Sequence, residues 1–224
     1  MSKIDVLDHG FVRLVDHMGG DLSIVRAARV SYDADWREGS EKGDTKLINY
    51  LMENHHTSPF EAVTLTFEVK APIFVFRQWH RHRTWSYNEI SARYTELDEG
   101  FYVPAVDQIT TQSKDNKQMR TSNIHKNADW IQATIESHCE IATKRYKDLI
   151  ADGCPRELAR SVLPVAAYSR MFASVDLHNL FNFIRLRTHE HAQYEIRVYA
   201  DAMLNLAKTV APIACAAFEE HALK

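Results

Sequence analysis

Cysteine is scarce in this chain of 224 residues, and Cys139, Cys154 and Cys215 are odd in number and far apart. They form neither a CxxC pair nor a disulfide framework, which suits a reducing compartment. Seven glycines and six prolines are few, which speaks against long flexible linkers or a disordered tail. No run approaches the roughly 18 apolar residues of a membrane span. The charged start (Lys3, Asp5, Asp8, His9) has no apolar signal-peptide core behind it, so a cytoplasmic location is expected. The formal net charge of -3 gives no global basic field to draw in nucleic acid, and any bound anion needs a local cluster.

What is present is ordinary globular material, with 45% hydrophobic and 25% charged residues. A chain of this length buries roughly 70% of its unfolded surface, enough for a core without staples. One domain over residues 1–224 is expected. Ile4–Asp16 reads as strand broken at Gly10. Asp21 can cap a short helix over Ser23–Ala28, and the polar stretch Asp33–Gly43 reads as a loop before a helix over Asp44–Glu53. Phe60–Lys70 alternates, with Val63, Leu65, Phe67 and Val69 against Thr64, Thr66, Glu68 and Lys70, and predicts a half-buried strand. Pro72 opens a helix towards Trp79, and Thr84–Tyr94 reads as loop and short strand.

Asn127–Asp152 is the strongest helical pattern, with Gly153 at its end. Pro155 opens a short helix that stops near Pro164, and Ala167–Val175 is extended. Asp176 is a good N-cap for a helix whose Leu177, Leu180, Phe181 and Ile184 share one side. Helices over Ala192–Ala207 and Ile213–Leu223 finish the chain. Strands and helices are segregated, so the expected class is α+β, an antiparallel or mixed sheet packed with several helices.

Chemistry concentrates between Gln78 and Tyr94. Three arginines and two histidines lie there among Ser, Asn, Glu and four aromatics. Guanidinium forks match phosphate, while Ser hydroxyls and backbone N–H groups complete an oxygen cage. Glu89 suits a ribose hydroxyl or an amide donor, and Trp79, Trp85, Tyr87 and Tyr94 offer flat surfaces to a base or an isoalloxazine ring. Three other readings stay open on the residues alone: a solvated charged surface, an RNA-binding patch, and a metal site from His80, His82, His55 and His56, which lacks a completing carboxylate or cysteine at usual spacing. A second constellation runs from Arg160 to Glu195. His178, Asn182 and Arg185 share a polar helix face, while Arg187 sits on the shoulder of the apolar side and needs a partner, for which Glu190 and Glu195 are the near choices. His189-Glu190-His191 is not HExxH, so a metalloprotease is excluded.

Arg81-His82-Arg83-x-x-Ser86-x-Asn88-Glu89-x-Ser91-x-Arg93-Tyr94 resembles the signature of the flavin-dependent thymidylate synthases, RHRxxSxNExSxRY. Nine fixed positions in fourteen make it a specific match. Ala28-Arg29-Val30-Ser31-Tyr32, His56-x-Ser58-Pro59-Phe60-Glu61 and Lys70-Ala71-Pro72-Ile73 resemble that family's flanking segments. The resemblance covers nearly the whole chain, weakest between Asp98 and Asn127. It implies the fold of that family, reductive methylation of dUMP to dTMP, tightly held FAD, NADPH and 5,10-methylenetetrahydrofolate as co-substrates, no metal, and a homotetramer with sites at subunit interfaces. Neither nucleic acid nor membrane is an implied partner.

By the same resemblance Gln78, Trp79, His80 and Arg81 contact dUMP, as do Glu89, Ile90, Ser91, Ala92 and Arg93. Arg160 joins them near the phosphate, and Arg187, the catalytic residue, faces the pyrimidine and favours the N3 anion. FAD falls to Ser31, His56 and Ser58, to Arg81, His82, Arg83 and Glu89, and to Asp176, Leu177, His178 and Asn182. Tyr94 and His191 stand by the folate or just behind the site. The chain departs from the family in having Asp176-Leu177-His178 for Asn-x-Arg, Ala62 for His and Ala92 for Gly. Only Cys154 lies near either constellation, without an activating motif, so a thiolate route is poorly supported. An arginine stabilising negative charge at N3–O4 is the alternative, with reducing power from the flavin.

Overall fold

The computed structural model describes residues 2–31 and 41–223. Most of the expected loop Asp33–Gly43, and Tyr32, lie outside the described residues. The sheet has five strands in the order β1-β2-β3-β7-β4, formed by Lys3–Val6, Gly10–Met18, Thr64–Pro72, Tyr168–Asp176 and Ser86–Glu89, respectively. Every pairing is antiparallel, so the expected antiparallel-or-mixed sheet resolves to antiparallel. Alternation works as expected in β3: Leu65, Phe67, Val69 and Ala71 are buried, pointing to one face by the period of two. The opposite face is charged. Glu68 of β3 accepts from Arg13 Nε of β2 at 2.9 Å and lies 3.6 Å from Arg170 Nη1 of β7.

The strand begins later than Phe60 because Pro59 sits inside a 3-10 turn, Ser58–Ala62, and Pro lacks the N–H a ladder needs. It then runs through Pro72, and α3 (Ile73–Trp79) follows without a loop. Around the sheet stand α1 (Asp21–Val30), α2 (Glu41–Glu53), α4 (Ala128–Ala151), α5 (Arg156–Ala159), α6 (Leu177–Thr188), α7 (Tyr194–Ala207) and α8 (Pro212–His221). Gly153, at φ +86, lets the chain leave α4. The small antiparallel sheet of β5 (Thr110–Gln112) and β6 (Arg120–Ile124) was not anticipated. Its residues are polar but for Ile124, so no apolar alternation announces it. No described helix is long and apolar enough to cross a membrane.

Asp21 does other work than capping its own helix. It is the first residue of α1, and its carboxylate accepts from Ile213 N at 3.0 Å and Ala214 N at 2.9 Å. Those are orphan donors in the first turn of α8, whose own N-cap, Ala211, has no side chain able to accept. Asp21 thereby ties the chain's C-terminal helix to its first one. We expect Asp21→Ala to lower unfolding stability by about 1–2 kcal/mol, read as a drop in urea midpoint at constant slope. An unchanged midpoint contradicts this account.

Candidate active site

A cavity of about 710 Å³ opens beside the end of β4. It brings together six of the expected nucleotide residues, His80, Glu89, Ile90, Ser91, Ala92 and Arg160. β4 pairs with β7 as far as Glu89↔Met171, and Ile90 N donates to Arg170 O at 2.9 Å. The Glu89–Ala92 backbone is therefore anchored where it leaves the sheet. Arg93 stands at the border, its Nε 3.3 Å from a carboxylate oxygen of Glu157, a cavity residue. Arg160 Nε donates to the Glu157 carbonyl at 3.2 Å.

Arg77 and Ser169 are among the residues of this cavity that escaped the sequence reading. Arg77 lines it from α3, and its guanidinium makes no hydrogen bond or ion pair with the described residues. Its only sequence signal is a place one helical turn before Arg81. Ser169, on β7, gave no signal. It is 1% exposed and its Oγ donates to Glu89 Oε1 at 2.6 Å.

Arg187 lies elsewhere in the chain. It lines an opening of about 450 Å³ with Arg185, His189 and His191. Its partners are neither Glu190 nor Glu195. Nε donates to His82 Nε2 at 3.0 Å and Nη2 to the Gln78 carbonyl at 3.1 Å. Burial first, and the facing Arg187 second, push the His82 imidazole down to about 4, so at neutral pH it is an uncharged acceptor. Burial also lowers Arg187. Glu195 is taken by Arg120, whose Nη2 reaches both carboxylate oxygens at 2.8 Å. Gln78 spends its side chain on Gln193, Nε2 to Oε1 at 2.6 Å.

A hollow of about 270 Å³ has Phe60, Phe181 and Phe218 below and His55, Thr57, His178, Asn182 and Arg185 around it. Phe181 and Phe218 stack at 4.3 Å with 4° between planes, and His178 Nε2 meets Asn182 Nδ2 at 3.1 Å. An aromatic floor with a hydrogen-bonding rim fits a flat heteroaromatic group. The volume lies just below the roughly 300–1,000 Å³ of whole-ligand pockets, so it suits one part of a dinucleotide such as FAD.

Other expected contacts fall away from these openings. Trp79 is 0% exposed, its ring stacked on Phe183 at 4.8 Å, so its side chain is core and not a ligand surface. Leu177 is fully buried too. Asp176 caps α6, one oxygen accepting from Asn179 N at 2.9 Å and the other from Asn179 Nδ2 at 2.6 Å, which leaves its carboxylate occupied. His55, in the left-handed region at φ 57, and Thr57 line the hollow where His56 and Ser58 were expected. Ser31 ends α1 and is exposed. Arg81 and Arg83 are exposed at the turn after α3, and Tyr94 is exposed beside Ser91, to whose carbonyl its N–H donates at 3.0 Å. His191 contacts Glu190 at 3.4 Å. No three or more His, Cys, Asp or Glu residues are grouped to hold a metal among the described residues.

Comparison with known proteins bears on the family and the fold. The family model described as thymidylate synthase complementing protein matches residues 13–213. A flavin-dependent thymidylate synthase from Treponema denticola is 50% identical over 222 residues, 98% of this chain and 83% of that protein. A counterpart from Thermus thermophilus is 49% identical over 221 residues, 99% of this chain and 80% of the relative. Among solved structures, the UMP/dUMP methylase PolB from Streptomyces cacaoi, bound with 5-Br dUMP, superposes with a TM-score of 0.87 at 36% identity, over 97% of both chains. With the fold, the signature run and the family match in agreement, this chain belongs to the flavin-dependent thymidylate synthases.

Proposed function

We propose that the protein reductively methylates dUMP to dTMP with FAD as cofactor, 5,10-methylenetetrahydrofolate as carbon donor and NADPH as reductant. The observation that carries this reading is Arg187, a guanidinium held by two uncharged acceptors. No carboxylate among the described residues pairs with it, and such a group can stabilise negative charge spread over N3 and O4 of a uracil. That charge makes C5 nucleophilic without addition of a thiolate at C6. Burial raises the thiols of Cys139 and Cys215, the latter to about 12, and no cysteine lines any of the three openings described above.

In this reading the 710 Å³ cavity takes the nucleotide. Arg160 and Arg93 meet the phosphate, Ser91 and the Glu89–Ala92 backbone complete its oxygen cage, and Glu89 receives a sugar hydroxyl. His178 and Asn182 take part of the flavin, with His82, Arg83 and Ser31 nearby in neighbouring subunits. Bound flavin supplies the reducing equivalents that turn a one-carbon unit into a methyl group. Arg187 and Arg160 line different openings of one chain, so a homotetramer that lays one subunit's Arg187 over another's cavity unites them. Exposed apolar side chains at and near that cavity support the arrangement: Val165, which lines it, is 63% exposed, and Leu158, next in sequence to the lining Glu157, is 61% exposed. Nucleic acid and membrane have no part in this reading, and its location is cytoplasmic.

The test is dTMP formation from dUMP with folate, NADPH and FAD omitted one at a time, each omission abolishing product. Arg187→Ala is expected to fold, keep its flavin absorbance and lose dTMP formation by about a hundredfold or more. Arg187→Lys, which keeps charge but not the fork, is expected to recover little. Full activity in Arg187→Ala removes that residue from its role.

His82 generates a pH prediction. The unfolded chain takes up the imidazole proton near 6.5 and the folded chain near 4. Between those values the unfolded state binds more protons, so stability falls as pH drops through the window and levels off below it. His82→Gln is expected to flatten that segment of a urea-unfolding series from about pH 7 to about pH 4. An unaltered slope contradicts the assignment.

A further inference from the structure

Serine is an unusual choice where Ser169 stands. Its neighbours in β7 on the same side are apolar, the site is closed to solvent at 1% exposure, and a hydroxyl buried there without a partner is costly. Its one side-chain hydrogen bond goes to Glu89 Oε1 at 2.6 Å, the short distance of a hydroxyl donating to an ionised oxygen. Glu89 itself is exposed. A glutamate in an open cavity has three rotatable bonds, and fixing it costs rotamer entropy. A buried donor anchored in a central strand fixes one oxygen before any ligand arrives.

The anchor itself is firm. β7 pairs with β3 from Thr64↔Asp176 to Pro72↔Tyr168, with Ser169 opposite Ala71. Glu89 reaches it from β4, across the other edge of the same strand. With Oε1 occupied, Oε2 is the oxygen left to accept from a ligand. Both residues line the cavity that also holds Arg160 and Ser91.

We infer that Ser169 is a positioning residue that holds the Glu89 carboxylate so that its second oxygen accepts a hydroxyl of the nucleotide sugar. This rests on the reading of that cavity as the nucleotide site. The hydroxyl donates, the carboxylate accepts, and no bond is made or broken. Preorganisation of this kind acts on binding more than on the chemical step.

The experiment compares binding of dUMP with 2′,3′-dideoxyuridine monophosphate, which lacks the 3′-hydroxyl, to flavin-loaded protein. Wild type is expected to prefer dUMP by about ten- to a hundredfold, the worth of a hydrogen bond to a charged group. Ser169→Ala is expected to bring that ratio towards one and raise KM for dUMP, with kcat within about threefold and flavin absorbance intact. Ser169→Thr, which keeps the hydroxyl, is expected to restore the ratio. If Ser169→Ala does not fold, Ser169→Cys fills the position with a much weaker donor and is expected to lower the ratio in the same direction. A merely structural serine weakens both nucleotides equally. An unchanged ratio in a folded Ser169→Ala or Ser169→Cys, with wild type binding dUMP, overturns the inference alone. Wild type that binds neither nucleotide overturns the functional reading and the inference together.

Discussion

Strand β7 pairs with β3 over its whole length and with β4 from Met171 to Ser174, and the placement of Ser169, Glu89 and Arg187 follows from it. Held between two partners, the strand has no freedom to slip, because a one-residue shift would turn its buried face outward. Near its start it sets Ser169 against Glu89. Its last residue, Asp176, is the N-cap of α6, so the strand's end dictates where that helix begins and where Arg187 emerges about three turns later. The partner strand β3 runs straight into α3, which carries Gln78, and the turn after it carries His82. Segments roughly a hundred residues apart are thus brought within hydrogen-bond distance by sheet register and two abrupt strand-to-helix junctions.

Much of this frame was legible because it rests on local periodicity. The alternation of Leu65, Phe67 and Val69 marked β3, and Asp176 marked the start of α6. The misses have physical reasons. Pro59 displaced the start of β3, and β5 and β6, built from Thr, Gln, Arg and Asn, bury no apolar stripe. Asp21 looked like the cap of its own helix, yet its carboxylate serves α8, a choice set by helix packing that a single segment cannot display.

The site divides in the same way. The signature run carries its chemistry in residue type and spacing, so the resemblance it implies was visible at once. What each side chain touches was not. Trp79 looked like a stacking surface and is enclosed core, since α3 turns that position towards Phe183. Asp176 looked like a cofactor contact, and its oxygens are both engaged by Asn179. Ser169 has no meaning until Glu89 is folded against it.

Arg187 and Arg120 show why a partner's charge matters more than the mere existence of a partner. Both guanidiniums are tied down by at least two hydrogen bonds. Arg120 faces Glu195, 3% exposed, and the pair is close to neutral as seen from a distance. Such a pair holds β6 to α7 and offers little to an incoming anion, because a ligand would have to displace a carboxylate already desolvated there. Arg187 is held as firmly in geometry, but by an imidazole nitrogen and a carbonyl oxygen. Those acceptors take Nε and Nη2 while no carboxylate among the described residues pairs with the unit charge, and burial lowers its pKa. A partly buried cation without a carboxylate partner is one that an anion can stabilise. A glutamate in place of His82 would cancel that charge, and this is the physical distinction between an arginine that holds a fold together and one that, on the proposed reading, can answer negative charge on a substrate.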